Sequence, residues 1–343
     1  MSLDSLIRDL RRGNRRALAQ AITLVESTRT DHRGEAERLI EVLLPETGGA
    51  VRIGISGPPG AGKSIFIERF GLDGIALGRR VAVLAVDPAA KRGGGAILGD
   101  KTRMAELARS PSAFIRPSSA GATQGGVARR TREAILLCEA AGFDAVIVET
   151  VGVGQAETAV AEMVDMFVLI LPPAGGDELQ GIKRGIIELA HLVLINKADG
   201  QLAAAAHRSA ADYAGALGLI RPPLPEWHVP VRAVSALEGS GIREVWHDVA
   251  RFRAALEQTG GWSRRRAEQA RAALWSEIRD SLLDRFHAAR AVAEHLDSLE
   301  ERVMVGAETP AAGARKLLSA FFDEERQKAD FGRCDLTRDD LEA

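Results

Sequence analysis

An apolar, β-branched run, Val51-Arg52-Ile53-Gly54-Ile55-Ser56, passes directly into Gly57-Pro58-Pro59-Gly60-Ala61-Gly62-Lys63-Ser64. A helix-compatible run, Ile65-Phe66-Ile67-Glu68-Arg69-Phe70, follows at once. A strand, a glycine-rich turn closed by Lys-Ser and a helix, in that order, make a phosphate-binding P-loop, and they commit the chain to an α/β fold built around it. The physical reasons are local. The glycines let backbone N–H groups turn inward around phosphate oxygens, and the helix N-terminus adds partial positive charge. Lys63 is placed to reach the β- and γ-phosphates, and the Ser64 hydroxyl to bind magnesium. Gly60, Ala61, Gly62, Lys63, Ser64 and Ile65 are the expected nucleotide contacts, and the chain is expected to bind a nucleoside triphosphate.

The 343 residues suffice for one large domain with extensions or for two domains. The net charge of −2 lacks the basic excess usual in proteins that bind nucleic-acid backbones, so no nucleic-acid partner is expected. Of the two cysteines, Cys138 falls in the apolar helical run Ile135-Leu136-Leu137-Cys138 and is distant from Cys334. A buried thiol in a reducing compartment follows. Neither a spanning apolar stretch nor a signal peptide is visible, so the expectation is a soluble cytoplasmic protein without a membrane partner.

Three segments emerge along the chain: residues 1–48, 49–259 and 260–343. In the first, Leu18, Ala21, Ile22 and Val25 share one helical face, Ala36, Leu39, Ile40 and Leu43 another, and Gly13-Asn14 breaks the chain before them. This N-terminal helical extension is expected to pack on the nucleotide domain. In the second, apolar runs at 51–56, 81–86, 144–150, 166–171, 191–195 and 230–234, with a weaker one at 113–116, alternate with helical stretches. Such alternation predicts a mostly parallel sheet flanked by helices, with ligands at the C-terminal ends of its strands. In the third, Trp275, Ile278, Leu282 and Phe286 recur at helical spacing, and the charged helical pattern runs on to about residue 302. One long amphipathic helix is expected there, with a second opened by Thr309-Pro310. Its apolar stripe needs a partner surface, and self-association through these C-terminal helices is the simplest supply.

The chemistry sits at strand ends. Asn196-Lys197-Ala198-Asp199 follows the run at 191–195. Guanine presents N1–H and N2–H₂ side by side, and the Asp199 carboxylate accepts both. Adenine offers no such pair and would leave a buried carboxylate unpaired. The Lys197 stem is suited to lie across the ring, and Asn196 to tie its loop to the P-loop. Ser235, Ala236 and Leu237, after the run at 230–234, supply backbone amides suited to guanine O6. GTP and GDP are thus the expected ligands. Asp87 and Glu149 end two further strands, where an acid beside a P-loop holds magnesium. Gly152-Val153-Gly154-Gln155 follows Glu149, and a glycine there allows close approach to the γ-phosphate. Asp100 is placed to cap a helix and Arg103 to pair with it or reach phosphate. Pro172 to Lys183, with Gly175-Gly176 before Asp177-Glu178, has the composition of a movable loop opening a helix.

Together these motifs resemble the methylmalonyl-CoA mutase-associated GTPases of MeaB/ArgK type, over nearly the whole chain. The resemblance runs from Ala17–Ser27 and Asp31-His32-Arg33 through the P-loop and Ile97–Met104 to Glu149–Gln155 and Gly176–Lys183. It implies a P-loop GTPase hydrolysing GTP to GDP and phosphate, slowly without its client, with Lys63, Asp100, Glu149 and Gln155 catalytic. It implies magnesium at Ser64, Asp87, Asp100 and Glu149, and coupling to a client through Arg103, Asp177, Gln180 and Lys183. It further implies a homodimeric chaperone, joined by a C-terminal dimerisation arm. Such a chaperone gates adenosylcobalamin loading into an acyl-CoA mutase and protects that mutase.

The chain departs from the family pattern after Asp87-Pro88. Ala89-Ala90-Lys91-Arg92-Gly93-Gly94-Gly95-Ala96 lacks four hydroxyls of the usual stretch, and Ile65 stands where threonine is common. Two other functions compete. A metal-insertion GTPase needs soft or imidazole ligands, but no Cys-x-Cys or histidine-rich tract exists and the seven histidines are scattered. A protein kinase of a transport system needs a base for its acceptor hydroxyl, and no motif marks one.

Overall fold

The computed structural model describes residues 2–27, 29–87, 104–119, 124–150, 156–173 and 184–339. All seven expected apolar runs form strands: β1 (Val51–Ser56), β2 (Val81–Asp87), β3 (Ala113–Ser119), β4 (Ala145–Thr150), β5 (Met166–Leu171), β6 (Leu192–Ile195) and β7 (Val231–Ala233). They make one sheet in the order β3-β2-β4-β1-β5-β6-β7, and every pairing is parallel. Parallel strands need crossovers, and the crossovers, α5 (Ala105–Arg109), α8 (Arg184–Ile187) and α9 (Ala203–Leu217) among them, put helices on both faces. The strands are accordingly apolar throughout, and β4, β5 and β6 are buried at every residue.

β1 lies at the middle of the sheet, between β4 and β5. Its upper half is shaped by Gly54. A Cβ there would stand 2.9 Å from Val160 and 3.1 Å from Phe167, so only glycine lets the helix α7 (Ala156–Ala161) settle on the strand. On the opposite face Ile53 and Ile55 pack with Phe66, Ile67 and Phe70 of α4 (Lys63–Ala76) and with Trp246, Val249 and Phe252 of α10 (Ile242–Gln258).

Three N-terminal helices form, α1 (Leu3–Arg11), α2 (Arg15–Glu26) and α3 (Thr30–Leu43), the last two where the periodicity predicts them. Asn14 caps α2, its Oδ1 accepting from the amides of Arg16 (2.9 Å) and Ala17 (3.1 Å). The predicted stripe of Leu18, Ala21, Ile22 and Val25 is buried. It shares a core with Ile135, Leu137 and Cys138 of α6 (Gln124–Ala140), so the extension does pack on the sheet's own helix layer. Burial also raises the pKa of the Cys138 thiol far above its usual range.

The chain divides into two compact units, Met1–Arg271 and Ala272–Ala343. The long helix expected in the tail is two helices. α11 (Gly261–Ala288) stops at Ala289, whose ψ of 131° is extended, and α12 (Arg290–Met304) begins after it. Amphipathic periodicity continues through the break, which is why the sequence conceals it. The break buries Ala289 and Val292 with Phe321 of α13 (Pro310–Asp339), a contact a straight helix would forgo. Thr309 and Pro310 open α13 as expected, with Thr309 Oγ1 accepting from the Ala312 amide at 3.3 Å.

Candidate nucleotide site

Because every strand runs the same way, the tips of β1, β2, β4, β6 and β7 share one edge of the sheet. The loop from Gly57 to Gly62 is held there by backbone fit. A Cβ on Gly57 would lie 2.0 Å from the Ile170 carbonyl oxygen, and one on Gly62 2.6 Å from Asn196 Nδ2. Gly62 also has φ 87° as the residue that opens α4, a left-handed conformation that favours glycine. Lys63 Nζ lies over the loop, donating to the carbonyls of Gly57 (2.7 Å) and Pro58 (3.3 Å). Burial lowers its pKa, and the carboxylates of Glu149 and Glu157 act against that shift. Ile65 is half-exposed at the start of α4.

The expected tie between Asn196 and the P-loop is present. Asn196 is buried. Its Nδ2 donates to the Ala61 carbonyl (2.8 Å) and its Oδ1 accepts the Ala236 amide (3.0 Å). One side chain thereby links the loops after β1, β6 and β7. Lys197 has φ 62°, the only positive φ outside glycine among the described residues. This strained turn sits between Asn196, directed at the P-loop, and the loop that carries Asp199. Ser235 is buried, and its hydroxyl donates to Asp199 Oδ2 while accepting the Glu238 amide at 3.0 Å. The Ser235 amide donates to Ser240 (3.0 Å). Two of the three amides expected to face guanine O6 thus already serve the loop. Leu237 follows them, its side chain largely exposed.

Glu149 is placed by register. It lies opposite Ile55 on β1 and Ala85 on β2, two residues below the start of the P-loop. Ser64 Oγ donates to its Oε1 at 3.2 Å. One residue nearer the strand tips, the hydroxyls of Thr150 and Ser56 form a buried pair at 2.9 Å. A hydroxyl and a carboxylate at this separation are hard oxygen donors of the type magnesium takes, so Ser64 and Glu149 fit such an ion. Asp87 ends β2, two residues beyond Ala85. Asp100, Arg103, Gln155, Asp177, Gln180 and Lys183 lie outside the described residues. Glu157 was not singled out by sequence. Its signal is an acid two residues beyond Gln155, at the close of the glycine-rich stretch.

A P-loop held to an Asn-Lys-x-Asp loop and a Ser-Ala-Leu loop, on the tips of a parallel sheet, defines a P-loop GTPase. The family model described as "Methylmalonyl Co-A mutase-associated GTPase MeaB" matches residues 18–291, and the chain belongs to that family. A protein of Caulobacter vibrioides is 54% identical over 321 residues, covering 94% of this chain and 98% of its own. The mouse "Methylmalonic aciduria type A homolog, mitochondrial" is 47% identical over 332 residues, covering 93% of this chain and 79% of its own. The crystal structure of an "LAO/AO transport system kinase" superposes with a TM-score of 0.74 at 39% identity, over 92% of this chain and 96% of that one. The protein binds guanine nucleotide and hydrolyses GTP, as its family does.

Proposed function

We propose that this GTPase is a chaperone of an adenosylcobalamin-dependent acyl-CoA mutase, methylmalonyl-CoA mutase or a close relative. On this reading it gates cofactor loading and protects the mutase from inactivation. The observation that carries the reading is membership of the mutase-associated family across residues 18–291. The mouse relative, named for methylmalonic aciduria, supports it.

Within the site, Asp199 accepts N1–H and N2–H₂ of guanine, with its carboxylate oriented by Ser235. Asn196 keeps the base-binding and phosphate-binding loops at fixed separation. The P-loop amides and Lys63 bind the β- and γ-phosphates. Ser64 and Glu149, with Asp87 and Asp100, hold magnesium, which when bound neutralises charge on the phosphate oxygens. Gln155 is the candidate for orienting the attacking water. Arg103, Asp177, Gln180 and Lys183 carry the nucleotide state to the client. Intrinsic hydrolysis is slow on this reading and rises on client contact, so the site works as a switch.

The C-terminal segment joins two copies. Leu274, Trp275, Ile278 and Leu282 of α11 are 39–62% exposed, an apolar stripe suited to a second copy of itself.

The test mixes the purified protein with cobalamin-dependent mutases and measures complex formation and GTP turnover with GTP, GDP and a non-hydrolysable analogue. A nucleotide-dependent complex that raises turnover is expected, and indifference to every mutase would sink the chaperone reading. The name of the solved relative raises a kinase reading as well. Labelled γ-phosphate recovered on protein rather than as free phosphate would favour it.

A further inference from the structure

The turn between α1 and α2 gathers arginines from three parts of the chain. Gly13 makes that turn with φ 72°, and a Cβ on it would stand 2.8 Å from Arg80 Nη2. Arg80 precedes β2, and its Nη1 donates to the carbonyls of Ala141 (2.9 Å) and Gly142 (3.2 Å). Arg15, in the first turn of α2, donates to the carbonyls of Ser110 (3.1 Å) and Ala108 (3.5 Å), on either side of Arg109. A carbonyl holds a guanidinium in place without cancelling its charge. Arg12, Arg16 and Arg109 stand exposed around these anchored side chains, and none of the three meets a carboxylate among the described residues. The Asp144 carboxylate accepts the Arg80 amide at 2.7 Å, and Asp9 is the other acid close by. These segments lie at the starts of β2 and β3, which run parallel, so they occupy the end of the sheet opposite the nucleotide loops. On α1 the arginines continue into a groove of about 460 Å³, lined by Asp4, Ile7, Arg8, Arg11, Arg12 and, from α3, Val42. Arg11 is paired with Glu46 at 2.6 Å, whereas Arg8, like Arg12, has no carboxylate partner. The groove is apolar where Ile7 underlies it and Val42 borders it. Val42 is 46% exposed and Leu44, just beyond, 54%.

We propose that this surface, the groove between α1 and α3 with the arginines around Gly13, docks an acidic segment of a partner protein. Guanidinium groups are planar donors that pair in two-pronged fashion with carboxylates. A concentration of one sign of charge steers an oppositely charged partner and sets its register. Phosphate surfaces attract arginine too, but they offer nothing to Ile7, Val42 and Leu44. The Phe143 ring beneath Arg80 is buried, so it is closed to stacking on a nucleic-acid base. A segment with carboxylates on one face and apolar side chains on the next satisfies both the arginines and the groove. The surface lies away from the nucleotide loops, so a docked partner leaves the GTP site open, and each can be altered without the other.

The test uses the full chain and a fluorescein-labelled helical peptide with glutamates along one face and leucines along the next. Binding is read by anisotropy, with thermal melting as a folding control and a fluorescent GTP analogue to follow the nucleotide site. Arg8→Glu combined with Arg12→Glu is expected to weaken peptide binding by about tenfold or more, with affinity for the GTP analogue unchanged. Should that pair fail to fold, Arg8→Gln with Arg12→Gln takes its place, with a loss of about fivefold. Val42→Ser, which alters no charge, is expected to cost about threefold. Arg271→Glu with Arg279→Glu, the same change of charge on exposed positions of α11, is expected to leave binding within about twofold. Equal weakening by the two glutamate pairs would reduce the effect to overall charge and overturn the proposal. So would failure of the peptide to bind, or tighter binding of duplex DNA or phosphatidylglycerol vesicles than of the peptide.

Discussion

At the scale of single residues, the site depends on contacts too close for substitution. Gly57→Ala would drive a methyl group into the Ile170 carbonyl, 2.0 Å from its ideal position. Both partners are backbone, so neither rotates away. The expected outcome is a loss of about 3 kcal/mol or more in denaturant unfolding, with nucleotide binding abolished. Asp199→Asn changes specificity instead. The amide offers a donor where guanine presents N2–H₂, and xanthine's C2 carbonyl accepts it. GTP binding is expected to fall by about a thousandfold and xanthosine triphosphate binding to appear, measured by competition. His191 is a third case. It is buried, and its Nδ1 accepts the Phe167 amide at 2.9 Å. Burial, helped by Arg265, lowers its pKa to about 3. The unfolded chain therefore binds this proton more readily than the folded one. The stability due to neutral His191 is full above its unfolded pKa of about 6.5 and is lost as pH falls towards 3. His191→Asn keeps an acceptor without titrating. Its unfolding free energy is expected to change with pH across that window by about 1.4 kcal/mol per pH step less than that of the parent.

At the scale of elements, the far end of the sheet is bound together by two buried ion pairs. Arg52 of β1 meets Glu139 of α6 through two bonds of 2.9 Å. Arg266 of α11 meets Asp165, just before β5, at 2.9 and 2.7 Å, and also donates to the carbonyls of Gly48 and Ala50. Asp165 accepts the Arg52 amide as well, at 2.8 Å. Removing one partner strands a desolvated charge, so Arg266→Ala is expected to cost about 3–5 kcal/mol in denaturant unfolding. Replacing an exposed partner such as Arg253, paired with Glu257 at the surface, is expected to cost under about 1 kcal/mol. These pairs were not legible in the sequence, because Arg52 and Glu139 are 87 residues apart and nothing local joins them. The strands were legible, since burial on both faces demands continuous apolar runs. The break at Ala289 was not, since helical periodicity crosses it and only the packing of Val292 and Phe321 selects it.

At the scale of the whole molecule, the expectation that follows from the proposed self-association concerns the exposed stripe of α11. Trp275→Glu combined with Leu282→Glu is expected to convert a two-chain species into single chains by sedimentation, with the nucleotide affinity of each chain kept. An unchanged mass would place the dimer contact elsewhere.

The phosphate loop, the guanine signature and the alternating strands and helices were legible in the chain, because each is written in neighbouring residues obeying local geometry. The sequence also carried the family resemblance that the comparisons bear out. Tertiary structure alone decided that Asn196 joins three loops and that Ser235 orients Asp199. Those relations depend on which strand tips the parallel order brings together, and no spacing along the chain encodes that distance.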